Sequence, residues 1–137
     1  MIQGVHDIAL NLAGFLALVA AAAHGVGGEV WVMRTLSPSN LPPSRFGGPR
    51  MTRTMIHATW HLTTVGFLTV AVALFLAGSV LDGDAARGIG LVAAGSATGF
   101  AAVALASTRS LRTLRSHPAA AVLTATAALA WWGALAA

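Results

Sequence analysis

The sequence predicts an all-α integral membrane four-helix bundle with both termini on the outer side (N-out/C-out). Three observations carry that expectation. Apolar residues make up 56% of the 137 positions and charged residues only 9%, against roughly 25% charged in a typical soluble domain. Four apolar runs approach the length of about 20 residues that a helix needs to cross the hydrocarbon core of a bilayer. All eight basic side chains are arginines, and seven of them fall in two of the connections between those runs.

The first run covers about 8–33, the second about 55–81, the third about 88–107 and the fourth about 118–137, all within one transmembrane domain, 1–137. Helices are expected because lipid offers no partner to unpaired backbone groups, and four spans are too few for a closed barrel. No basic residue precedes the first run in Met1 to Asp7. A secretory signal has a positive n-region there, so the first helix is expected to stay as an anchor. Ser116-His117-Pro118 suits the start of the fourth helix, with proline in the first turn where its missing N–H costs nothing.

The connection over about 34–54 is rich in proline, glycine and serine and therefore irregular. It carries Arg34, Arg45, Arg50 and Arg53, and the connection between the third and fourth runs carries Arg109, Arg112 and Arg115. Only Arg87 lies on the opposite side, beside Asp7, Asp82 and Asp84. This asymmetry predicts that the arginine-rich loops are cytoplasmic. Trp131 and Trp132 then fall at the outer interface. The absence of lysine beside so much alanine and glycine suits a GC-rich bacterial genome, hence a multi-pass protein of the bacterial inner (plasma) membrane.

A net charge of +4 can accompany nucleic-acid binding. Here the arginines sit between apolar runs rather than on a soluble face, so the expected surroundings are the lipid bilayer and no nucleic acid. The third and fourth runs are built largely of small residues. Gly95 and Gly99 form a small-xxx-small spacing that lets helices approach closely, within the bundle, in a homo-oligomer or in a larger membrane complex. With no cysteine, disulfides and thiolate metal sites are excluded.

Ionisable residues inside a span are costly and mark candidate sites. The candidates are His24 and Glu29 in the first run and His57 and His61 in the second. At about 1.5 Å of rise per residue from Arg34 or Arg53, His24 lies about 15 Å deep, His61 about 12 Å, Glu29 about 7 Å and His57 about 6 Å. Two levels result, His24 with His61 and Glu29 with His57. His57 and His61, four apart, share a helix face. Three histidines and a carboxylate suit a transition metal, iron or zinc. Alternatively, His24 and His61 on facing helices suit axial ligation of haem b. Spacing does not choose between these.

One angle stands against the full set. His24 and Glu29 are five apart, about 140° around a regular α-helix. Gly25, Gly27 and Gly28 lie between them and permit a local distortion. Structural readings compete: a histidine can simply bond a neighbouring helix, Glu29 can pair with Arg34 or Arg53, and Trp60 can anchor at the interface. His117 suits capping or solvent, and His6 lies far from the others. Thr63, Thr64, Ser96, Thr98, Thr124 and Thr126 fall within spans, where hydroxyls bond back to their own helix or across to another. No catalytic constellation emerges.

The run Ala-His24-Gly-Val-Gly-Gly28-Glu29, followed by Ala-Thr-Trp60-His61-Leu-Thr-Thr, resembles a group of small bacterial four-helix membrane proteins. In that group a histidine and a Gly-Glu pair precede a Trp-His pair. The resemblance covers about the first half of the chain. It implies that His24, Glu29, Trp60 and His61 act as a set, and it implies no activity. Three functions stay open at this point: a metal or haem site in the cytoplasmic half of the bundle, an accessory or assembly subunit of a larger complex, and a small oligomeric proton-coupled transporter.

Overall fold

Backbone hydrogen bonding carries helix well past the ends of the apolar runs. The computed structural model describes residues 2–108 and 118–136. Its long helices are α1 (Ile2–Ala22), α3 (Pro49–Ser79), α4 (Gly83–Ser107) and α5 (Ala119–Ala136). Between α1 and α3 come a π-helical segment (Ala23–Gly27), the short α2 (Gly28–Trp31) and two single 3-10 turns, Met33–Thr35 and Pro38–Asn40. Among the described residues the one β feature is an isolated bridge, Ser44 to Gly47. The expected loop with Arg109, Arg112 and Arg115 lies outside the described residues, as does the expected helix start at Ser116-His117.

Hydropathy placed the second helix from about residue 55, and the backbone starts it at Pro49. The reason is local. Proline is preorganised for the first helical turn, so the polar segment Arg50 to Thr54 joins the helix although it is too polar to read as a span. The third helix likewise starts at Gly83 rather than about 88. Asp82 leads into it in extended geometry, and Asp84 stands in its first turn, where an acidic group complements the helix dipole. Gly83 is the one described glycine with positive φ, +56°, a conformation that makes the tight reversal after α3 inexpensive.

Four helical stretches are long and apolar enough to cross a membrane: Gly4–Thr35, Pro49–Ser79, Gly83–Ser107 and Ala119–Ala136. The side chains are sorted by size. Buried positions are mostly alanines, among them Ala13, Ala17, Ala94, Ala97, Ala130 and Ala134, whereas Val5, Ile8, Leu12, Phe15 and Val19 of α1 point outward. A soluble bundle would do the reverse. Where the surroundings are as apolar as leucine, small residues at helix contacts let backbones approach, and large apolar ones can face lipid.

The chain forms two compact units, Met1–Ala20 with Phe67–Ala137, and Ala21–Gly66. In the first, Leu10, Val70 and Leu74 fill the space among the alanines. Asn11 ties α1 to the end of α3: its Nδ2 donates to the Asp7 and Gly78 carbonyls at 2.8 and 2.9 Å, and its Oδ1 accepts from Ser79 Oγ at 2.8 Å. The Gly78 carbonyl lies in the last turn of α3, where intrahelical donors run out. Trp131 Nε1 donates to Thr98 Oγ1 at 2.9 Å, joining α5 to α4. His6 is 7% exposed, and neither ring nitrogen has a partner among the described residues.

Close approach in this unit depends on named glycines. A Cβ on Gly133 would stand 2.6 Å from Leu10 Cγ, and Leu10 is itself fully buried and has nowhere to go. Gly133→Ala is therefore predicted to lower the melting temperature of the detergent-solubilised protein, the overpacking costing about 1–3 kcal/mol. Gly95→Ala, whose Cβ would meet nothing within 4 Å, is predicted to leave it unchanged or raise it. Equal effects from the two would contradict this packing.

Candidate metal centre

The unit Ala21–Gly66 holds all four candidate residues, and a change of helical register governs them. From Ala23 to Gly27 the backbone widens into a π turn, with the Gly28 N–H reaching the Ala23 carbonyl five residues back. Hydrogen bonds of the i→i+5 type bring residues five apart toward one face. The 140° that separates His24 from Glu29 on a regular helix is thereby reduced. Both residues meet the same stretch of α3, His57 to Thr64.

Trp60 and two glycines hold this turn. The His24 carbonyl is reached by the Gly28 N–H within the helix and by Trp60 Nε1 from α3, which donates to it at 2.9 Å. The indole lies so close that a Cβ on Gly28 would fall inside it, and a Cβ on Gly25 would stand 2.8 Å from Thr64 Cγ2. The His24 ring stacks on the same indole, with centroids 4.3 Å apart and planes 14° from parallel, and its Nδ1 is 3.0 Å from Thr64 Oγ1. The Thr64 hydroxyl also bonds back to the Trp60 carbonyl at 3.4 Å.

One turn further on, Glu29 meets two histidines. Glu29 Oε2 is 2.9 Å from His57 Nε2 and 3.5 Å from His61 Nε2, and the two Nε2 atoms are 3.2 Å apart. Both histidine rings are half-buried, and they cross edge to face, with planes at 86°. Glu29, His57 and His61 form a group that could hold a metal ion, the one such group among the described residues. Arg34 Nε lies 3.9 Å from the other carboxylate oxygen, Oε1. Across the connection, Arg53 donates to the Leu36 carbonyl at 2.9 Å and approaches that of Met33 at 3.4 Å, setting the start of α3 level with the end of the first span.

Those contacts calibrate the depths read from the sequence. Glu29 and His57 meet at one level, as their distances from Arg34 and Arg53 imply. The expected pairing of His24 with His61 at a second level gives way to a different grouping, in which His61 joins Glu29 and His57. His24 lies opposite Thr64 and Trp60, and it stands outside the triad. It lines an open groove of about 340 Å³ with Met55, Ile56, Thr59, Trp60 and Thr63. The role of Trp60 as a stacking partner and donor was not readable, because it depends on how closely α3 approaches the π turn. The Gly-rich run beside His24 was the available signal.

Comparison with protein-family models, curated proteins and solved structures finds no match. The fold defines an all-helical chain with four helices long and apolar enough to cross a membrane.

The π turn makes its own prediction. Gly28→Ala should displace Trp60 from the first span, lowering thermal stability and shifting tryptophan emission in the purified protein. A variant identical to the parent in both measurements would contradict the packing of the indole on Gly28.

Proposed function

We propose that this chain is a metal-binding protein of a bacterial inner membrane, holding one divalent transition metal ion on Glu29 Oε2, His57 Nε2 and His61 Nε2. The observation that carries the reading is the triangle those atoms make, with sides of 2.9, 3.2 and 3.5 Å. An ion about 2.05 Å from each, the usual length of a zinc–nitrogen or zinc–oxygen bond, would stand about 0.85 Å out of their plane. That height falls between the ~0.7 Å of a tetrahedral face and the ~1.2 Å of an octahedral one for such bonds.

Protons explain the triangle less well. Each Nε2 carries either one proton or one lone pair, so hydrogen bonds satisfy at most two of the three contacts. If both nitrogens donate to Glu29, two N–H groups face each other at 3.2 Å. A cation satisfies all three lone pairs at once. Two imidazoles and a carboxylate on one face, with the remaining positions open, are the ligand set of non-haem iron(II) sites and of catalytic zinc sites. The open positions make this a site for chemistry or metal exchange rather than a closed structural site. Haem is not adopted: the His24 ring lies flat on Trp60 and its Nδ1 is engaged by Thr64.

The arginine-rich connection supports an orientation with the site near the cytoplasmic side and both termini outside. A carboxyl-terminal alkaline phosphatase fusion is predicted to be active, and activity of a cytoplasmic reporter at that end instead would overturn the orientation. For the site itself, mild extraction followed by elemental analysis should give about one iron or zinc per chain. Glu29→Ala, His57→Ala and His61→Ala should each weaken metal affinity about 100-fold or more, since losing even a residue that only hydrogen-bonds a ligand costs about 10–100-fold. His24→Ala should change it far less. Equal effects from all four variants, or no metal in the parent after reloading, would sink the reading.

A further inference from the structure

Charge around this site is uneven. The unit Ala21–Gly66 carries four arginines and a single acidic residue, Glu29. Arg53 is engaged by the Met33 and Leu36 carbonyls. Arg34 stands beside the triad with its side chain 70% exposed and its Nε 3.9 Å from Glu29 Oε1. At that length the pair is coulombic and not hydrogen-bonded, so the guanidinium keeps its donors. The carboxylate is thus divided: Oε2 faces the two imidazoles and Oε1 faces Arg34.

The charges then do not balance. A divalent ion with one carboxylate and two neutral imidazoles, the usual ligand form of histidine, keeps a single positive charge, and Arg34 adds a second at its flank. Three protein ligands on one face leave coordination positions open. A guanidinium presents a planar fork of donors that matches oxyanions, phosphate above all. A phosphate group can therefore place one oxygen on the ion and another on Arg34.

We propose that Arg34 makes the metal centre a receptor for a phosphate group, bound jointly by the ion and the guanidinium. This inference rests on the metal reading of Glu29, His57 and His61. Lipid headgroups and free phosphate offer the same chemistry, and the test separates them.

The test loads the full chain in a non-ionic detergent with Co²⁺, whose visible bands report its ligands, and titrates inorganic phosphate. The expected result is a saturable change in those bands. Arg34→Gln should raise the half-saturating phosphate concentration about tenfold, the loss expected for a hydrogen bond to a charged group. The same variant should bind Co²⁺ at least as tightly as the parent, because a neighbouring cation is gone. Arg34→Lys should fall between the two for phosphate.

In nanodiscs the sources part. If headgroups supply the phosphate, discs of phosphatidylglycerol give the phosphate-bound spectrum without addition, and they lose it in Arg34→Gln. If free phosphate is the ligand, neither phosphatidylglycerol nor phosphatidylcholine discs give that spectrum before phosphate is added, and both respond to added phosphate. Bands that ignore phosphate in detergent and in both discs, or an unchanged midpoint in Arg34→Gln, would overturn the proposal. Failure to bind Co²⁺ at all is a different outcome: it overturns the metal site beneath it.

Discussion

A backbone that repeats every five residues instead of four, for little more than one turn, decides where the polar groups of the first span go. Without the π segment at Ala23–Gly27, His24 and Glu29 would point about 140° apart on a regular helix, and one of them would face lipid or an unrelated neighbour. A distorted turn in hydrocarbon depends on donors for its carbonyls. The His24 carbonyl has the Gly28 N–H within the helix, and Trp60 adds a second donor at 2.9 Å. Gly25 and Gly28 supply the room, since a Cβ at either position would collide with α3. The indole thus acts twice, bonding the backbone beneath His24 and stacking on its ring.

The same economy of size runs through the unit Met1–Ala20 with Phe67–Ala137. Its buried surface is largely alanine and glycine, with Leu10 and Leu74 as the largest apolar pieces fully enclosed. Packing of this kind gains little from the hydrophobic effect, because lipid is as apolar as the interior; it relies on close contact and on a few hydrogen bonds between helices. Asn11 and the Trp131–Thr98 pair provide those bonds.

Much of this was legible in the residues. Four apolar runs against 9% charge leave few alternatives to four helices, and the spacing of His57 and His61 at i and i+4 fixes a shared face. Counting residues from Arg34 and Arg53 also matched Glu29 with His57, because Arg53 does bond the end of the first span. Two things were hidden. Helix ends ran past the apolar runs at Pro49 and Gly83, since helix geometry tolerates polar residues that a span does not. The partner of His24 was hidden as well: a ring on Trp60 and a hydroxyl of Thr64 satisfy it, and neither residue type announces that role in a sequence. The glycines around His24 hinted at a distortion but not at its π character.

What turns these contacts into a proposed function is the convergence of three lone-pair atoms on one point, with Arg34 beside them. The most direct measurement is X-ray absorption at the metal edge of the protein loaded with one equivalent of zinc. The account predicts a first shell of two imidazole nitrogens and at least one carboxylate oxygen at about 2.0–2.2 Å, with the imidazole outer-shell scattering lost when His57 and His61 are both replaced by alanine. A shell of oxygens alone, or one unchanged by that double replacement, would contradict it.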